Sequence, residues 1–297
     1  MIPLPTRGVA ARQRAVTHHH IDVDVFADWI EAPVLFQDID VSVTDVVDVP
    51  LEEELYENQD FDRGIVDMAW PETEQRRKHG GGHYGVTIVA NWAKASGDTA
   101  NKTAHRFLLT LSLVSVYDWW RTAFGANYTD QGRHSESLTE MALAARTPGW
   151  PMFSTGSKGG TTNSHFLSIA NQLANCLYTG PVIQQEWNLD EKNDITLDIL
   201  VYWPCNDSRR GGPYIMMQCA SGANWDLKFK EPDIDQWRKL LNPDSLPLRG
   251  VSIPFCLPDT RLRFASARAS GLTKDRWRIL LAATRKHDWL KQTGGRA

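Results

Sequence analysis

The chain has 297 residues, 42% of them hydrophobic, enough to close a sizeable core and to exclude wholesale disorder. Its four cysteines are widely separated and form no Cys-x-x-Cys pair, which argues against a zinc ribbon or a disulfide framework and for reduced thiols in a cytoplasmic protein. The net charge of -4 conceals a polarity, because residues 204–297 carry +8 and residues 1–203 carry -12.

The opening residues, Met1-Ile2-Pro3-Leu4-Pro5-Thr6-Arg7, lack an apolar signal core, and no stretch reaches about eighteen consecutive apolar residues, so no membrane partner is expected. His18-His19-His20 sits in a polar stretch and reads as a local turn rather than a metal site. Residues 21–75 hold seventeen acids and a single base, Arg63. So concentrated a charge repels itself unless something basic balances it, which predicts an interaction surface for a protein partner or for the chain's own basic face. Within this segment Ile39, Val41 and Val43 alternate with Asp40, Ser42 and Thr44, a two-residue period that predicts a strand over 34–49. Arg76 to His83 has three consecutive glycines and no apolar residue, and so reads as a loop before a strand at 84–91. Those glycines do not open a helix through Gly-Lys-Ser/Thr, which excludes a phosphate-binding P-loop.

Asn101 to Phe124 is free of Gly and Pro and apolar nearly all round, predicting one buried helix that takes Trp119 and Trp120 into the core. Ser137-x-x-Glu140 has the spacing of a capping box and predicts the start of a shorter helix. Pro148-Gly149-Trp150-Pro151 and the Gly/Ser/Thr-rich stretch after it place a boundary near 160, giving an acidic α+β region over 1–160 and a second domain over 161–297. The second domain reads as α/β with the order α-β-β-β-α-β. Its helix starts at Ser164, strands follow at 181–187, 195–203 and 214–219, and a helix over 224–241 is re-angled at Pro232. A strand at 250–255 and a closing helix at 273–284 complete it.

The chemistry-bearing residues gather in this second domain. Asp194 and Asp198 are four residues apart, so on a strand they face the same way. Asp198 and Gln218 on adjacent strands offer oxygen ligands to one divalent ion, Lys228 at the start of the following helix supplies an ammonium group, and Glu186 is a further candidate ligand. Metal-assisted hydrolysis needs that combination, since the ion polarises a phosphoryl oxygen while a cation stabilises developing negative charge. Structural alternatives stand beside these readings: Asp194 as a turn residue, Gln218 as a core amide satisfying backbone groups, Lys228 as a surface lysine. Cys219 reads as a small core residue, with no base beside it in sequence.

The segment from Lys192 to Phe255 resembles a divergent branch of the PD-(D/E)XK nuclease superfamily. The resemblance is carried by Asp198 inside an apolar strand ending in Trp203, by the basic link Arg209-Arg210-Gly211-Gly212, and by Gln218-Cys219-Ala220-Ser221-Gly222-x-x-Trp225-x-x-Lys228 before a strand ending in Pro254-Phe255. It implies a restriction-endonuclease-like core and cleavage of nucleic acid, DNA ahead of RNA, with magnesium or manganese. By analogy alone it suggests an anti-phage defence setting. Arg209, Arg210, Arg261 and Arg263 are the expected phosphate contacts. The chain departs from the superfamily pattern at Gln218 and Ala220, where an acid and a lysine are usual. Two other readings therefore stand beside a nuclease: a catalytically silent nuclease-fold subunit that binds nucleic acid or scaffolds a complex, and a protein-interaction module.

Overall fold

The computed structural model describes residue 2 and residues 23–52, 59–96, 99–155, 163–180 and 196–283. Helices and two sheets make a mixed α/β chain that divides into two compact units. Unit one comprises Met1–Gln131, Pro254–Asp259 and Asp275–Ala297; unit two comprises Gly132–Ile253 and Thr260–Lys274. The boundary expected at 160 thus falls inside unit two, and residues 254–259 and 275–283 belong to unit one.

In unit one, α1 (Val23–Ala32) buries Phe26, Trp29 and Ile30. A π-helical turn over Pro33–Gln37 leads to β1 (Val41–Ser42) and then to α2 (Val43–Glu52). The strand expected over 34–49 is therefore mostly helix. The reason is local: the Ser42 amide and hydroxyl both donate to Asp45 Oδ2 at 2.7 Å, and the Asp45 amide returns a bond to Ser42 Oγ at 3.1 Å. That reciprocal cap starts a helix where the alternation of apolar residues suggested a sheet. α3 (Gln59–Gly80) runs through the basic stretch read as a loop. β2 (Val86–Val89) and β3 (Trp92–Ala95) form an antiparallel hairpin that β1 joins on the β3 side. The helix expected over 101–124 is two, α4 (Thr99–Val116) and α5 (Asp118–Phe124), parted at Tyr117, whose backbone is extended (φ -111°, ψ 102°). Trp120 is buried as expected, whereas Trp119 is 44% exposed. α10 (Arg276–Ala283) returns the chain to this unit and sets Trp277 edge-on against Tyr84 and His105, with ring centroids 5.1 Å apart in each case.

α6 (Tyr128–Arg146) opens in unit one and continues into unit two. Its first turn is capped by Asn127 and Asp130, which exchange bonds of 2.6 and 2.8 Å, so the helix starts nine residues before the Ser137 box. β4 (Met152–Ser154), β5 (Ile199–Tyr202), β6 (Tyr214–Cys219), β7 (Leu248–Ser252) and β8 (Leu272–Lys274) form one sheet in that spatial order. β4-β5-β6 are antiparallel and β6-β7-β8 parallel. α7 (Asn163–Leu177), α8 (Ile234–Leu241) and α9 (Asp259–Ala269) complete the elements. Leu200, Tyr214 and Met216 pack on one side with Leu173 of α7 and Trp237 and Leu240 of α8, while Ile199, Val201 and Met217 pack with Leu143 of α6. A strand covered on both faces explains the unbroken run Ile199-Leu200-Val201, each side chain contributing about 1.5–3 kcal/mol by its burial.

The strand predicted at 214–219 coincides with β6, and those at 195–203 and 250–255 overlap β5 and β7. The helix broken at Pro232 is a 3-10 segment, Trp225–Lys230, followed by α8, whose Asp233 cap accepts from the amides of Asp235 and Gln236. The helix expected from 273 is β8 followed by α10, and α9 was not anticipated. The strand at 181–187 lies outside the described residues; the sheet instead takes β4, from before the expected boundary. Close approach fixes one glycine here: a Cβ on Gly271 would meet the Arg249 carbonyl oxygen at 2.1 Å. α7 ends with Tyr178 in the left-handed region (φ 55°) and the Thr179 amide on Ala174 O at 2.9 Å. Glycine is the usual residue there, and tyrosine costs about 1–2 kcal/mol more.

Candidate functional site

β5 and β6 bring Asp198 and Gln218 together at one end of the sheet. The Asp198 amide continues the β5–β6 ladder by donating to Met217 O at 2.9 Å. Its carboxylate Oδ2 accepts the Cys219 amide at 2.5 Å. Gln218 is 4% exposed; its Nε2 donates to the Cys219 carbonyl at 3.4 Å, so both side chains address the peptide groups of one residue. Gln218 Oε1 is buried and finds no donor among the described residues. An orphaned buried carbonyl oxygen costs free energy unless a cation or another donor meets it.

α6 adds two acids absent from the sequence reading. Glu136 and Glu140 are one helical turn apart, and the Ser154 hydroxyl of β4 donates to Glu140. Partial burial, then the Asp198 carboxylate, then Glu140, push the Glu136 carboxyl up to about 7. Between the two acids Thr139 Oγ1 shares a 2.7 Å hydrogen bond with Ser252 Oγ of β7, which ties α6 to the carboxyl end of that strand. Burial and the Asp198 charge push the Cys219 thiol well above its ordinary value. A thiol held protonated is a poor nucleophile, in keeping with a packing role.

The other expected residues separate. Lys228 is half-buried on the 3-10 segment after β6, and its ammonium makes no hydrogen bond or ion pair among the described residues. Ala220, at the position of the usual lysine, is buried and donates its amide to Ser252 O at 2.8 Å. Arg261 stacks on Trp225, 5.5 Å from the ring centroid, beyond the carboxyl end of β6 where Gln218 lies; Arg263 nearby is exposed. Arg209 and Arg210 precede β6 and therefore lie at the opposite end of the β5–β6 pair from Asp198, roughly 15 Å away at about 3.3 Å per strand residue. They cannot share a phosphate with Asp198. Asp194 and Glu186 lie outside the described residues.

A second concentration of charge sits in unit one. Arg276 grips Asp28 through both nitrogens at 2.7 and 2.9 Å, and Arg76 reaches Asp28, Glu31 and Glu72 at 2.7, 3.0 and 3.1 Å. Ser112 Oγ donates to Asp28 Oδ2 at 2.6 Å and Tyr84 OH to Glu31 Oε1 at 2.9 Å. The Gly85 amide donates to His105 Nδ1 at 3.2 Å, so Nε2 carries the proton toward Glu31 Oε2 at 2.9 Å. Burial lowers the His105 pKa and keeps the ring neutral. Part of the acidic segment is thereby balanced within the chain. All these groups are enclosed, which makes the network structural rather than a reactive centre.

Comparison with protein-family models, curated proteins and solved structures gives no match for this chain.

Proposed function

We propose that unit two is a metal-dependent nuclease of the PD-(D/E)XK kind. The observation that carries this reading is the meeting of Asp198 and the orphaned Gln218 Oε1 on either side of the Cys219 peptide, with Glu136 near enough to feel the Asp198 charge. The run α6-β4, then β5-β6-α8-β7, with two antiparallel pairs followed by a parallel one, supports it, being the strand arrangement expected of a restriction-endonuclease-like core. The donors are all oxygens, the chemistry hard divalent cations require, and Asp198, Gln218 and Glu136 would hold magnesium or manganese. When bound, such an ion polarises a phosphoryl oxygen and lowers the pKa of water. The remaining work falls to the chain: Lys228 offsets developing negative charge, and Arg261 and Arg263 hold the backbone of a nucleic acid.

The reading is tested by cleavage of single-stranded DNA, duplex DNA and RNA with magnesium or manganese. Asp198→Ala should abolish metal-dependent cleavage while the variant still melts cooperatively, and Gln218→Glu should keep or strengthen metal binding. Normal cutting by Asp198→Ala would remove this site from consideration. The buried Ala220 favours a second reading, a silent nuclease-fold subunit that binds nucleic acid. Binding without cutting in every metal condition would select it.

A further inference from the structure

At the end of the sheet away from Asp198, a shallow, open cleft lies between the last turn of α7, the β5–β6 loop and the α8–β7 loop. Two aromatic rings line it and remain about half exposed, Tyr178 at 45% and Trp203 at 49%. Tyr178 keeps its ring there from a left-handed backbone position that glycine would occupy more cheaply. Arg209 supplies the positive charge. Its amide is tied to Asp207 Oδ1 at 3.0 Å, while its guanidinium makes no hydrogen bond or ion pair among the described residues. The neighbouring Arg210 is instead taken up by Asp244 at 3.3 Å and by the Asn242 carbonyl. The loop edge is held in place by Ser245 Oγ donating to Gly212 O at 2.8 Å and by Tyr214 OH donating to Ser245 O at 3.3 Å.

We propose that this cleft is a nucleotide-binding site, with a base stacked on Tyr178 and Trp203 and its phosphate on Arg209. The chemistry follows from the lining. Aromatic faces exposed inside a cleft stack on a planar base whatever its sequence, and a planar guanidinium matches two phosphate oxygens at once. An apolar ligand would leave Arg209 unused, and an acidic peptide would leave both rings unused. The same chemistry is offered by a free mononucleotide and by the phosphorylated end of a strand. The cleft is separate from the Asp198 end of the sheet, so it does not rest on the nuclease reading.

The test is isothermal titration of the full chain with adenosine and guanosine monophosphates, with short oligonucleotides bearing or lacking a 5′-phosphate, and with adenosine and inorganic phosphate alone. Saturable binding of a mononucleotide or of a phosphorylated strand end is expected, at least tenfold tighter than either adenosine or phosphate. Binding of the free mononucleotide identifies one source, and binding confined to the phosphorylated oligonucleotide the other; both support the site. Arg209→Ala and Tyr178→Gly should each weaken binding tenfold or more. Tyr178→Gly should hold or raise the melting temperature, which separates loss of the ring from loss of the fold, and Asp198→Ala should bind as the wild type does. No saturable binding in any arm, adenosine binding as tightly as its phosphate, or wild-type affinity in both Arg209→Ala and Tyr178→Gly would overturn the proposal.

Discussion

Arg276 and the acids it holds show how strongly single residues govern unit one. Burial pushes the Asp28 carboxyl up, but the Arg276 and Arg76 guanidiniums outweigh it and hold Asp28 below the usual carboxylate range; burial likewise pushes Glu31 up, and the Arg76 guanidinium together with the hydrogen bond from His105 outweighs it. Removing one partner of a buried pair leaves its charge uncompensated, so Arg276→Ala should cost about 3–5 kcal/mol in denaturant unfolding. Folded pKa values below the unfolded ones give stability that is present above about pH 4 and lost as pH falls further. A melting temperature indifferent to pH between about 5 and 2 would contradict that assignment. Glu136 runs the other way. Its folded value of about 7 lies above the ordinary 4.5, so its contribution is full below 4.5 and lost as pH rises through 7. Glu136→Gln should therefore raise the melting temperature at pH 8 and change it little at pH 4, and manganese should stabilise the wild type more at pH 8 than at pH 5. These residues were illegible in the sequence for a physical reason. Local pattern reads a charged run as solvated, and nothing in Arg76-Arg77-Lys78 signals that Arg76 meets acids 48 and 45 residues away. Asp198 and Gln218 were legible because a polar residue within an apolar strand must be satisfied somewhere.

At the level of elements, the apolar runs decided most outcomes. β5 and β6 lie where apolar runs of Ile, Leu, Val and Met placed them, β7 shares only residues 250–252 with the strand expected at 250–255, and α8 follows a capping aspartate after a proline. Failure came where a short cap competed with periodicity. Ser42 and Asp45 turn an alternating segment into α2, and Asn127 with Asp130 start α6 before the Ser137 signal. That displacement hid Glu136, which belongs to the middle of a helix rather than to a turn before one. α9 escaped because its apolar residues are few and only Ala265 and Ala269 are buried. The junction of β7 and β8 depends on Gly271, where a side chain would strike a backbone oxygen that cannot swing away. Gly271→Ala should lower stability by about 1–3 kcal/mol, the range for overpacking, measured by urea unfolding.

For the chain as a whole, the charge polarity read along the sequence does not follow the units. Unit two holds fifteen Lys and Arg against thirteen Asp and Glu, a net of +2, whereas the +8 of residues 204–297 includes Arg276, which is neutralised inside unit one. Nucleic-acid binding should accordingly rest on a few local cations. If Lys228, Arg261 and Arg263 neutralise three phosphates, the logarithm of the binding constant should fall with the logarithm of salt with a slope of about -3 on duplex DNA. A slope near zero would remove these residues from the interface, and a slope beyond about -6 would require cations besides these three.

The return of residues 254–259 and 275–283 to unit one has a consequence for how the protein is made. A ribosome delivers residues 23–131 long before it delivers Arg276, so α1 and α3 wait with Asp28 and Glu31 one counter-charge short while the intervening residues are synthesised. Unit one therefore closes after synthesis has passed residue 276, and a nascent or prematurely terminated chain ending before it exposes an uncompensated acidic interior. Such a chain should be far more sensitive to proteases than the finished protein, which makes the closing segment a checkpoint for completeness.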